Sequence, residues 1–349
     1  MIKKTHNILV TGGSGFIGSN FIYNYLSNSK GSIVNMDSLT YAGSGNNLER
    51  LSDEPRYHFV KGSICDVDKL KNLFSKFQFD SIINFAAESH VDRSIEGPKV
   101  FMETNIIGTF NLLDTIKNIR DSNKNFRSKN FRFVHVSTDE VFGSLGPEDD
   151  PFNENSNYKP NSPYSASKAS SDHIVRSYFK TYNFPVVITN CSNNFGPYQF
   201  PEKLIPLTIY NALNKKPIPI YGDGLQVRDW LYVKDHCVAL NKVLQFAEPG
   251  HTYNIGGNNE KTNIDVVKSI CDHLDEIEPN NQFSHSELIE FVKDRPGHDK
   301  RYSVDSSKIQ KDLNWNPFET FETGIQKTIK WYLDNQNWMN KIIRDNSDV

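Results

Sequence analysis

Tyr164-Ser165-Ala166-Ser167-Lys168 sets a phenol and an ammonium four residues apart, so on a helix both project from one face. A neighbouring ammonium stabilises phenolate and makes a weak acid usable as a base on a hydroxyl near neutral pH. By itself this spacing also fits a solvated helix face; its place after the fifth strand of a dinucleotide fold gives it chemical meaning. That strand runs into Val136-Ser137-Thr138-Asp139-Glu140-Val141-Phe142-Gly143, which puts Thr138, Asp139 and Glu140 at the carboxyl edge where α/β folds bind ligands. Oxidising an alcohol needs only the hydroxyl and the phenol-lysine pair. Losing water needs two further groups, a base for a carbon-bound proton and an acid for the departing hydroxyl, and Asp139 with Glu140 could supply both. The competing reading of these acids is a helix N-terminus with capping carboxylates.

A second set of residues reads as a cofactor cradle. Thr11-Gly12-Gly13-Ser14-Gly15-Phe16-Ile17-Gly18 follows the first strand and opens the first helix, the context in which a glycine fingerprint is believable. Gly12 permits the tight turn, Gly15 lets backbone amides approach a pyrophosphate, and Gly18 lets the helix pack on the sheet. The helix N-terminus then faces the anion. Asp37 ends the second strand about 20 residues on, where a carboxylate accepts from the adenosine ribose hydroxyls and repels a 2'-phosphate, favouring NAD over NADP. A plain strand-helix turn and a strand-ending turn aspartate are the bland alternatives. The Gly-x-x-Gly-x-x-Gly spacing points to the short-chain dehydrogenase/reductase branch.

These groups need a parallel sheet to hold them, and the first half of the chain supplies one. Strands are expected at Asn7 to Thr11, Ser32 to Asp37, Tyr57 to Lys61, Ser81 to Ala86, Phe131 to Ser137 and Val186 to Cys191, alternating with amphipathic stretches as in repeated βαβ units. Apolar residues fall at helical spacing from Phe16 to Tyr25. Val100 to Ile119 offers Phe101, Ile106, Phe110, Leu113 and Ile116 or Ile119 as a buried stripe. The fold expected is α/β: a doubly wound parallel (Rossmann) sheet with a smaller mixed α/β carboxyl-terminal substrate lobe. Residues 1–191 would form the dinucleotide-binding domain with the catalytic residues, and 192–349 the lobe, with the option of the chain crossing back. Prolines 197, 201, 206, 217 and 219 mark the change of texture, followed by a helix from Val233 to Ala247, a strand near Thr252 to Ile255, a helix from Thr262 or Asn263 and one from Phe321 to Asp334. Asp121 to Asn130 reads as an exposed loop, and the last dozen residues as frayed or solvent-facing.

The bulk properties narrow the class. A formal charge of -3, from 39 basic and 42 acidic residues, leaves no footprint for nucleic acid or an anionic membrane. Cys65, Cys191, Cys237 and Cys271 are scattered and form no C-x-x-C pair, which fits reduced thiols and a cytoplasmic protein. The residues before Ile8-Leu9-Val10 show no export signal, and no segment has the roughly 20 apolar residues of a membrane span. His90, His135 and the other histidines lack metal-ligand spacing, so no metal is expected.

With these residues in view, the chain resembles the extended short-chain dehydrogenase/reductase family, and within it the nucleotide-sugar 4,6-dehydratases, over nearly its whole length. The pieces that carry the resemblance are Thr11 to Gly18, Asp37-Ser38-Leu39-Thr40-Tyr41-Ala42-Gly43, Ala86 to Ser94, Ser137 to Gly143, Tyr164 to Lys168, Ser192 to Pro206 and Arg228-Asp229-Trp230. The resemblance implies NAD, a homodimer and an internal redox cycle. In it, Tyr164 takes the 4-hydroxyl proton while carbon-4 is oxidised, Glu140 removes the carbon-5 proton, Asp139 protonates the departing 6-hydroxyl, and the hydride returns to carbon-6. Thr138 would hold the 4-oxygen and Lys168 the nicotinamide ribose. It further implies cofactor positions at Gly12, Gly15, Phe16, Ile17, Gly18, Asp37, Ser38, Thr40, Gly43, Ser63, Ile64, Phe85, Ala86, Ala87, Ser89, Thr104, Tyr164, Lys168 and Asn194. Substrate positions would be Ser89, Thr138, Asn193, Lys203, Leu204, Pro219, Tyr221, Arg228, Asn263, Asp294, Arg295 and His298. Arg228 suits bidentate phosphate binding, and Tyr221 stacking on a pyrimidine, although each equally fits a structural role.

Two positions depart from the family. Ser63 stands before Ile64 where an aspartate is usual, so the adenine amino group meets a hydroxyl without charge-assisted strength. Phe142 replaces a usual tyrosine and should lose only a hydroxyl contact. A 4-epimerase or a UDP-glucose dehydratase shares the glycine turn, Tyr164 and Lys168; the carboxylate pair argues against the epimerase, and the base stays open because one methyl group is worth only about 1 to 3 kcal/mol in a fitted pocket. A non-catalytic NAD-sensing module would keep the glycines and drift at the five catalytic positions, all of which are intact.

Overall fold

The computed structural model describes residues 6–122, 131–277 and 283–346. The short β-branched runs of the first half become strands β1 (Asn7–Thr11), β2 (Ser32–Asp37), β3 (Tyr57–Lys61), β4 (Ser81–Asn84), β5 (Arg132–Thr138) and β6 (Val186–Cys191). Five of the six keep all or all but one of their residues from full exposure on both faces, as a sheet covered by helices on each side requires. Two short pairing strands follow, β7 (Asn193–Phe195) and β8 (Ile218–Tyr221), then β9 (Val227–Tyr232) and β10 (Thr252–Ile255). The main sheet has seven strands in the order β10-β6-β5-β4-β1-β2-β3, all parallel, so the chain returns from its carboxyl-terminal half to add β10 beside β6.

Helices cover both faces. On one side pack α1 (Phe16–Asn28) and the later Val233–Phe246 and Ser307–Leu313 helices, around Ile8, Val10, Ile22, Leu240 and Trp315. On the other lie α2 (Val67–Lys76), then the short α3 (Val91–Glu96) and α4 (Lys99–Phe101), a π-helical turn Met102–Gly108, α5 (Thr109–Ser122) and α6 (Pro163–Tyr182), around Leu9, Leu73, Leu112, Ile116 and Val175. Strand order reverses between β1 and β4, and that switch point opens a crevice at the carboxyl ends of the strands.

The helices already placed on the main sheet are α8 (Val233–Phe246) and α10 (Ser307–Leu313); the second lobe is built by α7 (Leu204–Leu213), β11 (Glu260–Thr262), α9 (Asn263–Ile277), β12 (Ile289–Val292), β13 (Arg301–Tyr302), α11 (Phe321–Asp334) and α12 (Gln336–Asn346). β9 sits between β11 and β13 and also pairs with β7, while β12 pairs with β8. Phe195, Trp230, Ile270, Phe321 and Tyr332 fill this lobe's own core.

Three expectations change. The stretch beyond Val100 does not bury Phe110, which is 42% exposed; Asn105, Gly108 and Thr109 face inward instead, because the backbone there lies too close to Ile64 and Cys65 for a large side chain. The described part of the last dozen residues is not frayed: α12, which ends at Asn346, buries Met339 and Ile342. Of Asp121 to Asn130, residues 121 and 122 close α5 and the rest lie outside the described residues.

Candidate active site

Gly12 leaves β1 with φ +71, donates its N–H to Met36 O at 2.9 Å, and comes so close to the next segment that a Cβ would stand 2.5 Å from Ala86 N. No side chain caps α1 behind Gly15, and no acid sits in its first turn, so the amides that open the helix stay available to an anion. Asp37 is buried at the end of β2, with one carboxylate oxygen accepting from Ser14 N and the other from Leu39 N, each at 2.8 Å. Burial raises its pKa and the two backbone donors oppose that. Each oxygen keeps a lone pair for a further donor. An uncapped helix start, a ribose-height carboxylate and a glycine turn pressed against the sheet together fit a dinucleotide.

A cavity of about 440 Å³ runs from this turn to the end of β5. Every cofactor position named from the sequence, from Gly12 to Asn194, lines it, and so do Thr138, Asp139, Glu140, Tyr164 and Lys168. Ser63 borders it with its hydroxyl already accepting from Cys65 N at 3.1 Å. Phe142 stacks on Phe152 instead, with ring centroids 5.1 Å apart, in a dry pocket that has no use for a hydroxyl.

Thr138 ends β5 and caps the 3₁₀ turn Asp139–Phe142, its hydroxyl accepting from Glu140 N at 3.3 Å. Capping therefore falls to the threonine, which leaves both carboxylates free to face the cavity. Their surroundings differ. Asp139 is 2% exposed, and burial, then Glu140 and Asp229, hold its acid well above the usual carboxylate range. One of its oxygens has no hydrogen-bond partner. Glu140 is also raised by burial, but Lys203, Arg228 and Arg295 pull it back down. Burial thus raises both neighbouring acids, Asp139 well above its ordinary value and Glu140 against the opposing charge of three cations.

Tyr164 and Lys168 project from the first turns of α6, which a Ser162–Ser165 capping box starts. Lys168 Nζ donates to Val136 O at 2.9 Å, and burial lowers its pKa. Tyr164 differs from expectation: burial, then the charge of Glu140, push the phenol well above 10, and only the Thr138 hydroxyl among the resolved causes lowers it. Lys168 gives one of its three donors to the backbone, and the charges of Glu140 and Asp139 act against the phenolate. A belt of buried polar groups supports this end of the sheet, from Thr11 to Asn84 (2.6 Å), Asn84 to His135 (3.2 Å) and His135 to Ser171 (3.1 Å).

Among the substrate positions, Ser89, Asn193 and Lys203 join Thr138 in the cavity, with Lys203 Nζ donating to Ser89 O at 3.0 Å. Leu204 opens α7 next to Lys203. The others gather in a neighbouring cluster of the second lobe. Arg295 lies over Tyr221, Asp294 receives His298 at 2.7 Å and Gln226 at 3.4 Å, and Asn263 reaches Gln226 at 3.4 Å. Pro219 pairs beside this cluster in β8. Arg228 donates to Val227 O and Asp299 O and stacks on Tyr302, from where its charge acts on Asp139 and Glu140.

The sequence reading misses Gln199, Phe200 and Glu202 as cavity-lining residues. Glu202 adjoins Lys203 between two prolines, so a signal existed for it. It also misses Asn105, whose amide holds Glu88 N and O at 2.8 and 3.0 Å and Ser167 at 2.8 Å. Among the described residues no group of three or more His, Cys, Asp or Glu side chains is placed to hold a metal ion, and no helix is long and apolar enough to cross a membrane.

Comparison with known proteins adds to this geometry. The model of the GDP-mannose 4,6 dehydratase family matches residues 9–328. A dTDP-glucose 4,6-dehydratase of Neisseria meningitidis is 53% identical over 339 residues, covering 96% of each chain. Among solved structures, the Bacillus anthracis dTDP-glucose 4,6-dehydratase in complex with NAD superposes with a TM-score of 0.85 at 46% identity, over 97% of this chain and 100% of that one. The Streptomyces venezuelae dTDP-glucose 4,6-dehydratase, with NAD and TYD bound, gives 0.88 at 42% identity, over 96% and 99%.

Proposed function

The chain belongs to the 4,6-dehydratase family that the GDP-mannose 4,6 dehydratase model describes, and from that premise we propose that it is an NAD-dependent hydro-lyase converting dTDP-glucose to dTDP-4-keto-6-deoxyglucose. The observation that carries the reading is the split of Asp139 from Glu140 in one cavity with Tyr164, since an acid and a base side by side are what elimination needs and simple oxidation does not.

In this reading the residues from Gly12 to Asn194 that line the cavity hold NAD, with the amides opening α1 on its pyrophosphate and Asp37 on its adenosine ribose. Bound NAD supplies a cationic ring and the hydride exchange that oxidises carbon-4 and later reduces carbon-6. Tyr164 accepts the 4-hydroxyl proton, with Thr138 donating to the same oxygen. Because burial, and after it the charge of Glu140, raise the phenol's pKa in the protein alone, positive charge on the cofactor side would be needed to make it a base. The resulting ketone acidifies carbon-5. Glu140, raised by burial but opposed in this by the charges of Lys203, Arg228 and Arg295, removes that proton. Asp139, kept neutral by burial, gives its proton to the 6-hydroxyl as the C–O bond breaks, and water leaves.

The second lobe, 192–349, would carry the nucleotide, with Tyr221 and Arg295 toward the base and diphosphate. The four unpaired cysteines support a reducing, cytoplasmic setting, and exposed Val100, Ile107 and Phe110 support a homodimer. The test is incubation with dTDP-glucose carrying deuterium at carbon-4: the product should be a 4-keto-6-deoxy sugar with the label at carbon-6. A 4-epimer without loss of water would overturn the assignment, and faster turnover of UDP-glucose would change the base.

A further inference from the structure

Helix α12 has no part in the chemistry above, yet its Trp338 reaches the cofactor turn. The link is Asn47, 2% exposed in the 3₁₀ turn Gly45–Leu51. Asn47 Nδ2 donates to Ser14 O at 2.8 Å, and Asn47 Oδ1 accepts from Trp338 Nε1 at 3.0 Å. A peptide carbonyl only accepts and an indole N–H only donates, so the two partners fix which way the amide points. Ser14 lies between the glycines, and its own N–H donates to Asp37 at 2.8 Å. The indole is therefore two hydrogen bonds from the peptide that bends between Gly13 and Gly15.

The same ring braces the opposite wall. Trp338 packs edge-on against Tyr198, at 5.8 Å between centroids, and Tyr198 stacks on Tyr23 of α1 at 5.7 Å. Tyr23 OH donates back to Asn47 O at 2.9 Å. Tyr198 has φ +67, and the adjoining Gln199 and Phe200, which line the cavity, are held by Tyr332 OH donating to Gln199 O at 2.7 Å. Both walls of the dinucleotide half of the cavity thus lean on the last two helices.

We propose that Trp338 is a positioning residue for the dinucleotide, acting through Asn47 on the Ser14 peptide and so on the amides that open α1, and that it sets how firmly NAD is retained. This rests on the reading that the cavity takes NAD. Without the indole donor, Asn47 Oδ1 is buried and unpaired, and the amide regains a partner only by turning away from Ser14. The turn then spends part of its time in conformations that do not bind, and apparent affinity falls by that fraction.

Trp338→Phe keeps an aromatic ring and removes the donor. In the full chain stripped of nucleotide, titration calorimetry should show NAD binding about five- to tenfold weaker, the size of one lost buried hydrogen bond. Millimolar NAD should restore turnover, with KM for the nucleotide sugar unmoved. Asn47→Ala should weaken NAD at least as much, and adding Trp338→Phe to it should weaken NAD no further, because both act through one bond. Unchanged NAD affinity in Trp338→Phe, with only a lower melting temperature, would reduce the tryptophan to a packing role and overturn the proposal; so would independent, multiplying losses in the double variant. Wild-type protein that took up no NAD would instead sink the functional reading beneath it.

Discussion

Asp139 and Glu140 are neighbours in sequence with opposite tasks in the proposed reaction, and what separates them is the surrounding charge: burial raises both, but Lys203, Arg228 and Arg295 oppose it at Glu140, whereas Glu140 and Asp229 add to it at Asp139 against Arg228. Turnover should therefore be bell-shaped in pH, falling on the acid side as Glu140 gains a proton and on the alkaline side as Asp139 loses one. Asp139→Asn and Glu140→Gln should each slow turnover by about 10²- to 10⁴-fold. They should differ in exchange: deuterium from solvent still enters carbon-5 in Asp139→Asn and does not in Glu140→Gln, as mass spectrometry of the sugar would report. Stability carries the same signature. Asp139 has a folded pKa above its ordinary 3.8, so the native state binds the extra proton and stability is lost as pH rises from there toward the folded value. Asparagine escapes that loss, and the melting temperature of Asp139→Asn should gain on wild type between about pH 5 and 8. At the other end of the cavity, Ser63→Asp should tighten NAD about fivefold by calorimetry, a charge-assisted bond replacing a neutral one; an unchanged affinity would remove Ser63 from the adenine pocket.

At the scale of elements, α1 must start against β1 and cannot yield. A Cβ on Gly18 would stand 2.4 Å from Gly12 O and 2.7 Å from Gly13 Cα, both backbone atoms. Gly18→Ala should cost about 1 to 3 kcal/mol in urea unfolding and weaken NAD, since only shifting the helix off the turn relieves the overlap. Strand-turn-helix units of this kind are legible in a sequence because period, glycine and burial agree locally. β1, β2, β3 and β6 fall where the β-branched runs put them, with Asp37 at the end of β2, and Thr138 ends β5. Legibility fails where the partner lies far along the chain. Asn105 reads as a polar interruption of an apolar stripe, and only the fold shows it spanning Glu88 and Ser167. The polar, asparagine-rich end of the chain reads as frayed because the aromatic ring that anchors α12 finds its acceptor 291 residues earlier. Arg228 is a third case: its motif suggests a phosphate, and only the fold shows the Asp299 carbonyl and the Tyr302 ring that hold its guanidinium.

For the molecule as a whole, the stretch from Lys99 to Ser122 ties the cavity to a surface. Val100 and Thr104 line the cavity, while Val100, Ile107 and Phe110 leave 43, 52 and 42% of their area exposed along one side. Such a row is costly to leave in water, and a two-fold axis across it would set each apolar side chain against its own copy. Helix α6 packs alongside with Tyr182 also exposed, so each copy would contribute a pair of helices. Ile107→Glu combined with Phe110→Glu changes nothing buried within one chain and puts four carboxylates into the shared face of a dimer, two from each copy. Sedimentation velocity should then show half the wild-type mass. Because Val100 and Thr104 sit on the same stretch, NAD should also bind more weakly in the separated chains, although neither substituted residue lines the cavity. If wild type already sediments as a single chain at micromolar concentration, the apolar row has another purpose and the cavity is complete in one copy.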